Sequence, residues 1–349
     1  MLKKRVETGP LLTLETTPPN LPTLDLLIHR LEKSGAVELV DGFTTTDSPL
    51  SRPKYNSIIS AYRLQEQFQK PVIATMSMRD RNWIALYGDL LGANDLGITH
   101  ILALTGDPVR LSPSPVKGVF EGNSLKLLEL IEKLNLGMDR EGTPLKITPK
   151  PITPFGVTSS VLKGGKKGAE RLIKKMEKKF SRGAVAVISQ PVYSIKQGKL
   201  LLQLVERARE LAGKGEIIFG FFPITSLKTA LFLQNNVPGV EVPPSLISLL
   251  QQAKTETEEQ KIGIGWSRNL FANLWELHPK IHFMCANRFT LLPEIVGEVI
   301  GYRKGIENRN EKRTEGEATT GTIGSTTVSI PTGKFSSEKA VNIPNRENY

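Results

Sequence analysis

The chain has 349 residues, 39% hydrophobic and 23% charged, with one cysteine and a formal net charge of +11. Such a length buries a large core in one or two domains, and no apolar run approaches the ~20 residues of a bilayer span, which argues against a helical membrane protein. Cys285 has no partner for an internal disulfide, and the basic start Leu2-Lys3-Lys4-Arg5 lacks the apolar stretch of a signal peptide, so a cytoplasmic location is expected.

The first strand-like run, Leu11 to Glu15, ends in a carboxylate just before Thr16-Thr17-Pro18-Pro19. Thr23 to Lys33 carries Leu24, Leu27, Ile28 and Leu31 at helical spacing. Ala36 to Phe43 then reads as a strand, Asn56 to Phe68 as a helix, Pro71 to Ser77 as a strand and Trp83 to Leu96 as a helix. The fourth strand, Thr99 to Leu104, stops at Gly106-Asp107-Pro108, a turn signal that stands Asp107 at the C-terminal end of a buried strand.

Ser124 to Leu134 reads as a helix, followed by a proline-rich connection from Thr143 to Pro154. Phe155 to Thr158 is a strand crowded by Pro151 and Pro154. Lys167 to Phe180 is helical, and Ala184 to Ser189 and Ile217 to Phe222 are strands on either side of a helix from Leu200 to Leu211. Another helix begins near Ser226, and the acidic run Thr255 to Lys261 precedes a helix through Leu277. Lys280 to Cys285 gives the last strand, and Leu291 to Tyr302 closes the unit.

Eight strands alternating with helices predict an α/β fold, a (β/α)8 TIM barrel over residues 1–303. A doubly wound sheet would carry Gly-x-Gly-x-x-Gly after its first strand, and this chain does not. Beyond Arg303 the apolar periodicity disappears, so residues 304–349 predict a disordered tail. Polar residues recur at the strand ends: Glu15, Thr44 to Asp47, Thr75, Ser77, Asp107 and Gln190. Each alone suits a cap or turn, but together they form a polar ring on the face where barrels bind ligands.

No paired His or Cys spacing suggests a metal; His29 and His100 read as surface residues and His282 as a satisfied core histidine. Between Lys163 and Lys179 eight basic residues face two acidic ones, the pattern of a solvated helix face. The absence of aromatic interleaving disfavours nucleic acid as a partner.

Six motifs carry a family resemblance. Leu14-Glu15-Thr16-Thr17-Pro18-Pro19, Arg79-Asp80-Arg81-Asn82, Leu104-Thr105-Gly106-Asp107-Pro108, Gln190-Pro191-Val192-Tyr193, Gly220-Phe221-Phe222-Pro223-Ile224 and Asn287-Arg288 occur in the order and at the spacings that resemble methylenetetrahydrofolate reductase. The resemblance implies a barrel carrying FAD that reduces 5,10-methylenetetrahydrofolate to 5-methyltetrahydrofolate, a step toward methionine biosynthesis. It implies Glu15 as the acid that protonates N10, and Asp107 as the ionised group that contacts the pterin and stabilises the developing cation. It places Gln190 and Arg288 at the folate, and Thr46, Thr75, Thr105, Gly106, Asp107, Phe120 and Lys179 at the flavin. The implied electron donor is NADH or NADPH, or else a partner protein; a homo-oligomer is left open.

Two other readings share these residues: a methylene reductase subunit fed by a partner electron donor, and a non-catalytic pterin-binding barrel. The chain also departs from the family pattern. Thr75 stands where many members have His, Thr105 where several have Arg, Met78 where Cys is common and Ser194 where Asp often follows Pro-Val-Tyr. These departures touch the flavin contacts more than the two acids.

Overall fold

Eight runs of strand-forming residues become β1 (Leu11–Thr16), β2 (Gly42–Thr45), β3 (Val72–Ser77), β4 (His100–Leu104), β5 (Thr153–Thr158), β6 (Ala186–Pro191), β7 (Glu216–Phe221) and β8 (Lys280–Phe283) in the computed structural model. It describes residues 2–162, 164–237 and 239–300; the expected boundary at residue 303 and the tail 304–349 lie outside them. The strands pair in parallel in chain order, and β1 also pairs with β8, closing the barrel. The helices are α1 (Leu2–Thr8), α2 (Asp25–Glu32), α3 (Ser57–Phe68), α4 (Trp83–Asp95), α5 (Ser124–Asn135), α6 (Gly165–Ser181), α7 (Ile195–Ala212), α8 (Leu227–Asn236), α9 (Pro244–Gln251) and α10 (Glu256–Leu277). A further helix covers residues 291–300. No helix among the described residues is long and apolar enough to cross a membrane.

Successive strand residues face opposite sides of the sheet, so each strand divides by parity. Leu12 and Leu14 of β1, Val72, Ala74 and Met76 of β3, and Phe219 and Phe221 of β7 turn outward into the layer shared with the helices. Leu11, Ile73, Leu102, Phe155, Ala186, Ile188 and Ile218 turn inward and fill the lower barrel. Helix α1 closes that floor with Leu2 and Val6, both buried in the same cluster. The sequence showed only a basic start there, because a seven-residue helix with two apolar positions leaves too short a pattern to recognise.

Several boundaries differ from expectation for local reasons. Ala36 to Phe43 is not one strand: Val37–Leu39 forms a 3₁₀ turn and β2 starts at Gly42. Asp41 ends that turn by bonding β1 twice, its amide donating to Leu12 O and its carboxylate accepting from Leu12 N, each at 2.8 Å. Gly42 is required next, since a Cβ there would lie 2.5 Å from Pro71 O.

Pro154 is accommodated inside β5 because the ladder to β6 begins one residue later, at Phe155 opposite Ala186. Helix α7 starts five residues before the expected Leu200, capped by Ser194 Oγ accepting from Gln197 N at 3.1 Å. The acidic run does not precede α10 but forms its first turn, where carboxylates favour the positive helix end, behind the Thr255 cap. His100 opens β4 instead of lying on the surface, and burial lowers its pKa to about 4.

Removing the largest side chain of the barrel floor should cost the most. Phe155→Ala is expected to lower unfolding free energy by about 3–5 kcal/mol, whereas Ile147→Ala should stay within about 0.5 kcal/mol. Ile147 is 84% exposed and Phe155 0%. Urea midpoints of the two variants against the parent check this, and equal midpoints would contradict the packed floor.

Candidate active site

The inward parity that is apolar at the floor turns polar at the C-terminal rim. There a cavity of about 410 Å³ opens, lined by Glu15, Thr46, Thr75, Thr105, Gly106, Asp107, Lys179 and Gln190 among others. Eight of the ten residues expected at the site thus share one wall. Phe120, with φ +42°, lies instead in an adjoining open groove with Pro108, Val109 and Arg110, and this groove shares Thr105 and Gly106 with the cavity. Arg288 faces a separate groove beside Arg30 and Lys33, where its Nη1 donates to Thr225 Oγ1 at 3.0 Å.

The two carboxyl groups have different surroundings. Asp107 Oδ2 accepts from Leu50 N at 2.6 Å. That bond pins the β2–α3 loop, where Ser48, Leu50 and Ser51 all have left-handed φ near +50°, a region costly for residues with a side chain. Ser51 Oγ donates to Pro108 O at 3.1 Å and accepts from Arg79 Nη1 at 3.2 Å. Glu15, by contrast, makes no hydrogen bond among the described residues; His282 Nε2 lies 3.8 Å from its Oε2.

Charge is balanced behind this wall. Arg79 is 2% exposed and forms a two-point pair with Asp80, whose hydrogen bond raises the arginine pKa. Arg81 bridges Asp47 and Asp89 at 2.5 and 2.7 Å, and Asp47 also accepts from Ser77 N at 2.9 Å. Gly106 is fixed by crowding and conformation together: φ is +97° and a Cβ would lie 2.3 Å from Ser77 Oγ. Thr105 Oγ1 accepts from Ser124 N at 3.1 Å and so helps start α5.

Lys179 leaves the lysine-rich face of α6 and enters the cavity wall. Its ammonium donates to Val157 O, with no carboxylate in ion-pair range among the described residues. Burial lowers its pKa to about 8. Gly156 makes room for the stem, since a Cβ there would meet Lys179 Cδ at 2.8 Å. The remaining cations of α6, Lys166, Lys167, Arg171, Lys174, Lys175 and Lys178, are exposed.

Sequence reasoning did not single out Arg79, Ser189, His282 and Met284 as cavity residues, although all four line it. His282 is buried and bonded to Thr13, as expected of a core histidine, yet it also faces the cavity. Strand parity would have found it, since His282 and Met284 share the inward face across from Thr13 and Glu15. Among the described residues no cluster of His, Cys, Asp or Glu has the form of a metal site.

Comparison with known proteins places the chain in a family. No curated protein matches the chain. A solved structure, an uncharacterised protein from Clostridium thermocellum that binds two copies of 5-methyl-5,6,7,8-tetrahydrofolic acid, superposes with a TM-score of 0.58 over 86% of this chain and 100% of its own. At 15% identity that likeness is one of fold. The family model described as methylenetetrahydrofolate reductase matches residues 2–299, from the floor helix through the last described helix. The chain belongs to the methylenetetrahydrofolate reductase family, oxidoreductases that act on folate-borne one-carbon units.

Proposed function

We propose that the chain reduces 5,10-methylenetetrahydrofolate to 5-methyltetrahydrofolate with FAD, using Glu15 as the acid and Asp107 as the anion. The observation that carries this reading is one cavity bearing two strand-end carboxyls in unlike settings. Asp107 accepts a backbone N–H that holds its carboxyl in place, while Glu15 makes no hydrogen bond among the described residues. Acid and anion roles require that difference.

The wall residues suit a flavin. Thr46 Oγ1 is buried without a hydrogen-bond partner among the described residues and belongs to a residue lining the cavity, which leaves its hydroxyl for a ligand. Lys179 is a half-buried cation with no carboxylate partner among the described residues, suited to a phosphate. Thr46, Thr75, Thr105, Gly106 and Asp107 would hold the ring region, Phe120 would flank it in the adjoining groove, and Lys179 would meet the phosphates. When bound, FAD supplies the hydride.

Glu15 donates a proton to N10, which opens the bridge and leaves an N5 iminium cation; protonation turns a poor leaving group into a neutral amine. Asp107 then faces the cation with a fixed negative charge, and its bond to Leu50 N keeps it from turning away. Gln190, at the end of β6, offers amide donors and acceptors to the pterin edge. Arg288 would reach the folate from the neighbouring groove. NADH, NADPH or a partner protein would supply the electrons.

The first test is the visible spectrum of the purified protein under anaerobic titration. Flavin bands should bleach with NADH or NADPH and return with methylenetetrahydrofolate; bleaching only with a partner protein would favour the subunit reading. A colourless protein that does not take up FAD would overturn the reductase. Glu15→Gln should leave flavin reduction nearly unchanged while slowing reoxidation by the folate at least ~100-fold.

Lys179 gives a pH signature. With its pKa near 8 in the fold against 10.5 ordinarily, the unfolded chain binds more protons between those values, so stability rises with pH across that window. Thermal unfolding from pH 7 to 10.5 should show this rise in the parent and lose it in Lys179→Met. FAD should also flatten it, because a phosphate favours the charged lysine. An identical rise in the variant would assign the effect to another group.

A further inference from the structure

His282, a buried titratable side chain facing into the barrel, has no part in the steps above. Thr13 of β1 stands opposite His282 of β8 across the strand pair that closes the sheet. The imidazole therefore sits beside Glu15, on the wall of the cavity. Thr13 is 0% exposed and His282 2%. Nδ1 of the ring lies 2.8 Å from Thr13 Oγ1, and Nε2 lies 3.8 Å from Glu15 Oε2.

Donor and acceptor accounting places the ring proton. Thr13 Oγ1 has His282 as its hydrogen-bond partner and no second one among the described residues. If Nδ1 were the donor, the buried hydroxyl hydrogen would have no acceptor, an arrangement folded proteins avoid. With the hydroxyl donating to Nδ1, both atoms are satisfied and the proton stands on Nε2, directed at Glu15.

We propose that His282, its tautomer set by Thr13, is a positioning residue that takes up the charge developing on Glu15 as the carboxyl gives its proton to N10. The inference rests on the reading of Glu15 as the acid. The proton leaves the carboxyl oxygen turned to the cavity, and the bond between N10 and the methylene carbon breaks with its electron pair passing to N10. The hydride that completes the methyl group comes from reduced FAD, and Glu15 regains its proton from water once product has left.

As negative charge settles on the carboxylate, the 3.8 Å separation closes onto Nε2–H. A contact loose in the resting protein and tight as the proton departs lowers the barrier instead of strengthening substrate binding. The other charged or titratable groups nearby are Asp47, Arg79, Asp107 and Lys179 on the cavity wall, with Cys285 and Arg288 beyond β8. None of them hydrogen-bonds Glu15 among the described residues, so His282 is the donor placed to do so.

Two measurements test the inference. The first is nitrogen-15 NMR of the full chain, whose four histidines can be assigned by substitution. His282 should show an unprotonated Nδ1 and a protonated Nε2, and Thr13→Val should lose that single tautomer. A ring protonated on Nδ1 in the parent overturns the proposal.

The second is rapid mixing of the pre-reduced holoenzyme with methylenetetrahydrofolate. His282→Leu should slow reoxidation ~100-fold with FAD affinity within about twofold of the parent, and His282→Gln, which restores an N–H near Nε2, should recover to within about tenfold. Equal impairment of Leu and Gln variants, or unchanged reoxidation in His282→Leu, overturns it. If Glu15→Gln abolishes reoxidation and His282→Leu does not, this inference alone fails; if Glu15→Gln leaves reoxidation intact, the acid assignment fails instead.

Discussion

Closure of the sheet by the β1–β8 pair is the constraint on which the rest of the molecule depends. Because every strand runs parallel to both neighbours, all eight end on one rim, and every inward-facing residue points into a single interior. The same parity that places Leu11, Ile73, Leu102 and Phe155 in the floor places Glu15, Ser77, Leu104 and Val157 higher up the same faces. Outward parity stays mainly apolar because helices cover it, with buried hydroxyls such as Thr16, Thr45 and Ser189 at the upper strand ends. A site arises where the inward parity changes character, from hydrocarbon at the floor to hydroxyl, carboxyl and imidazole at the mouth.

Opening a polar mouth above a dry floor has a structural cost, visible in the β2–α3 loop. Three residues with side chains hold left-handed backbone there, at roughly 1–2 kcal/mol each. Asp107, Pro108 and Arg79 offset that cost with bonds to Leu50 and Ser51. The exchange links parts of the site that are distant in sequence. Asp107 is oriented by a loop that begins beside Thr46 and Asp47, and Asp47 in turn holds Ser77 N and Arg81. A change in any of these residues would therefore reach the Asp107 carboxylate.

Much of the fold was legible in the sequence because buried parallel strands are short apolar runs ended by turn residues. Leu11 to Glu15, Thr99 to Leu104 and Ile217 to Phe222 all carry that signature, and β1, β4 and β7 lie where they predict. Ala36 to Phe43 misled because Ala36 and Val40 are buried without being in a strand; composition records burial and not hydrogen-bond geometry. Strand ends located most of the candidate wall, since chain order alone fixes which ends share a rim. His282 and Arg79 were less legible. A histidine inside a strand looks the same whether it faces helices or a cavity, and Arg79 is buried only through pairing with Asp80 and the folded loop around Ser51.

The departures from the family pattern acquire physical sense in this setting. Ser194 caps α7 through its hydroxyl, a task an aspartate at that position would also perform. Thr105 accepts from Ser124 N at the start of α5, which an arginine side chain, having no acceptor, would not do. Met78 is fully buried and reaches toward Gly122, where a Cβ would sit 2.8 Å from its Cε, so the larger side chain and the glycine fit each other. These three residues are accommodated by a cap or a packing contact, and of them Thr105 lines the cavity. None of these contacts touches the carboxyls of Glu15 or Asp107. The proposed acid chemistry rests on strand register at Glu15 and on the Leu50 bond at Asp107, and the bonds and packing made by Ser194, Thr105 and Met78 leave both in place.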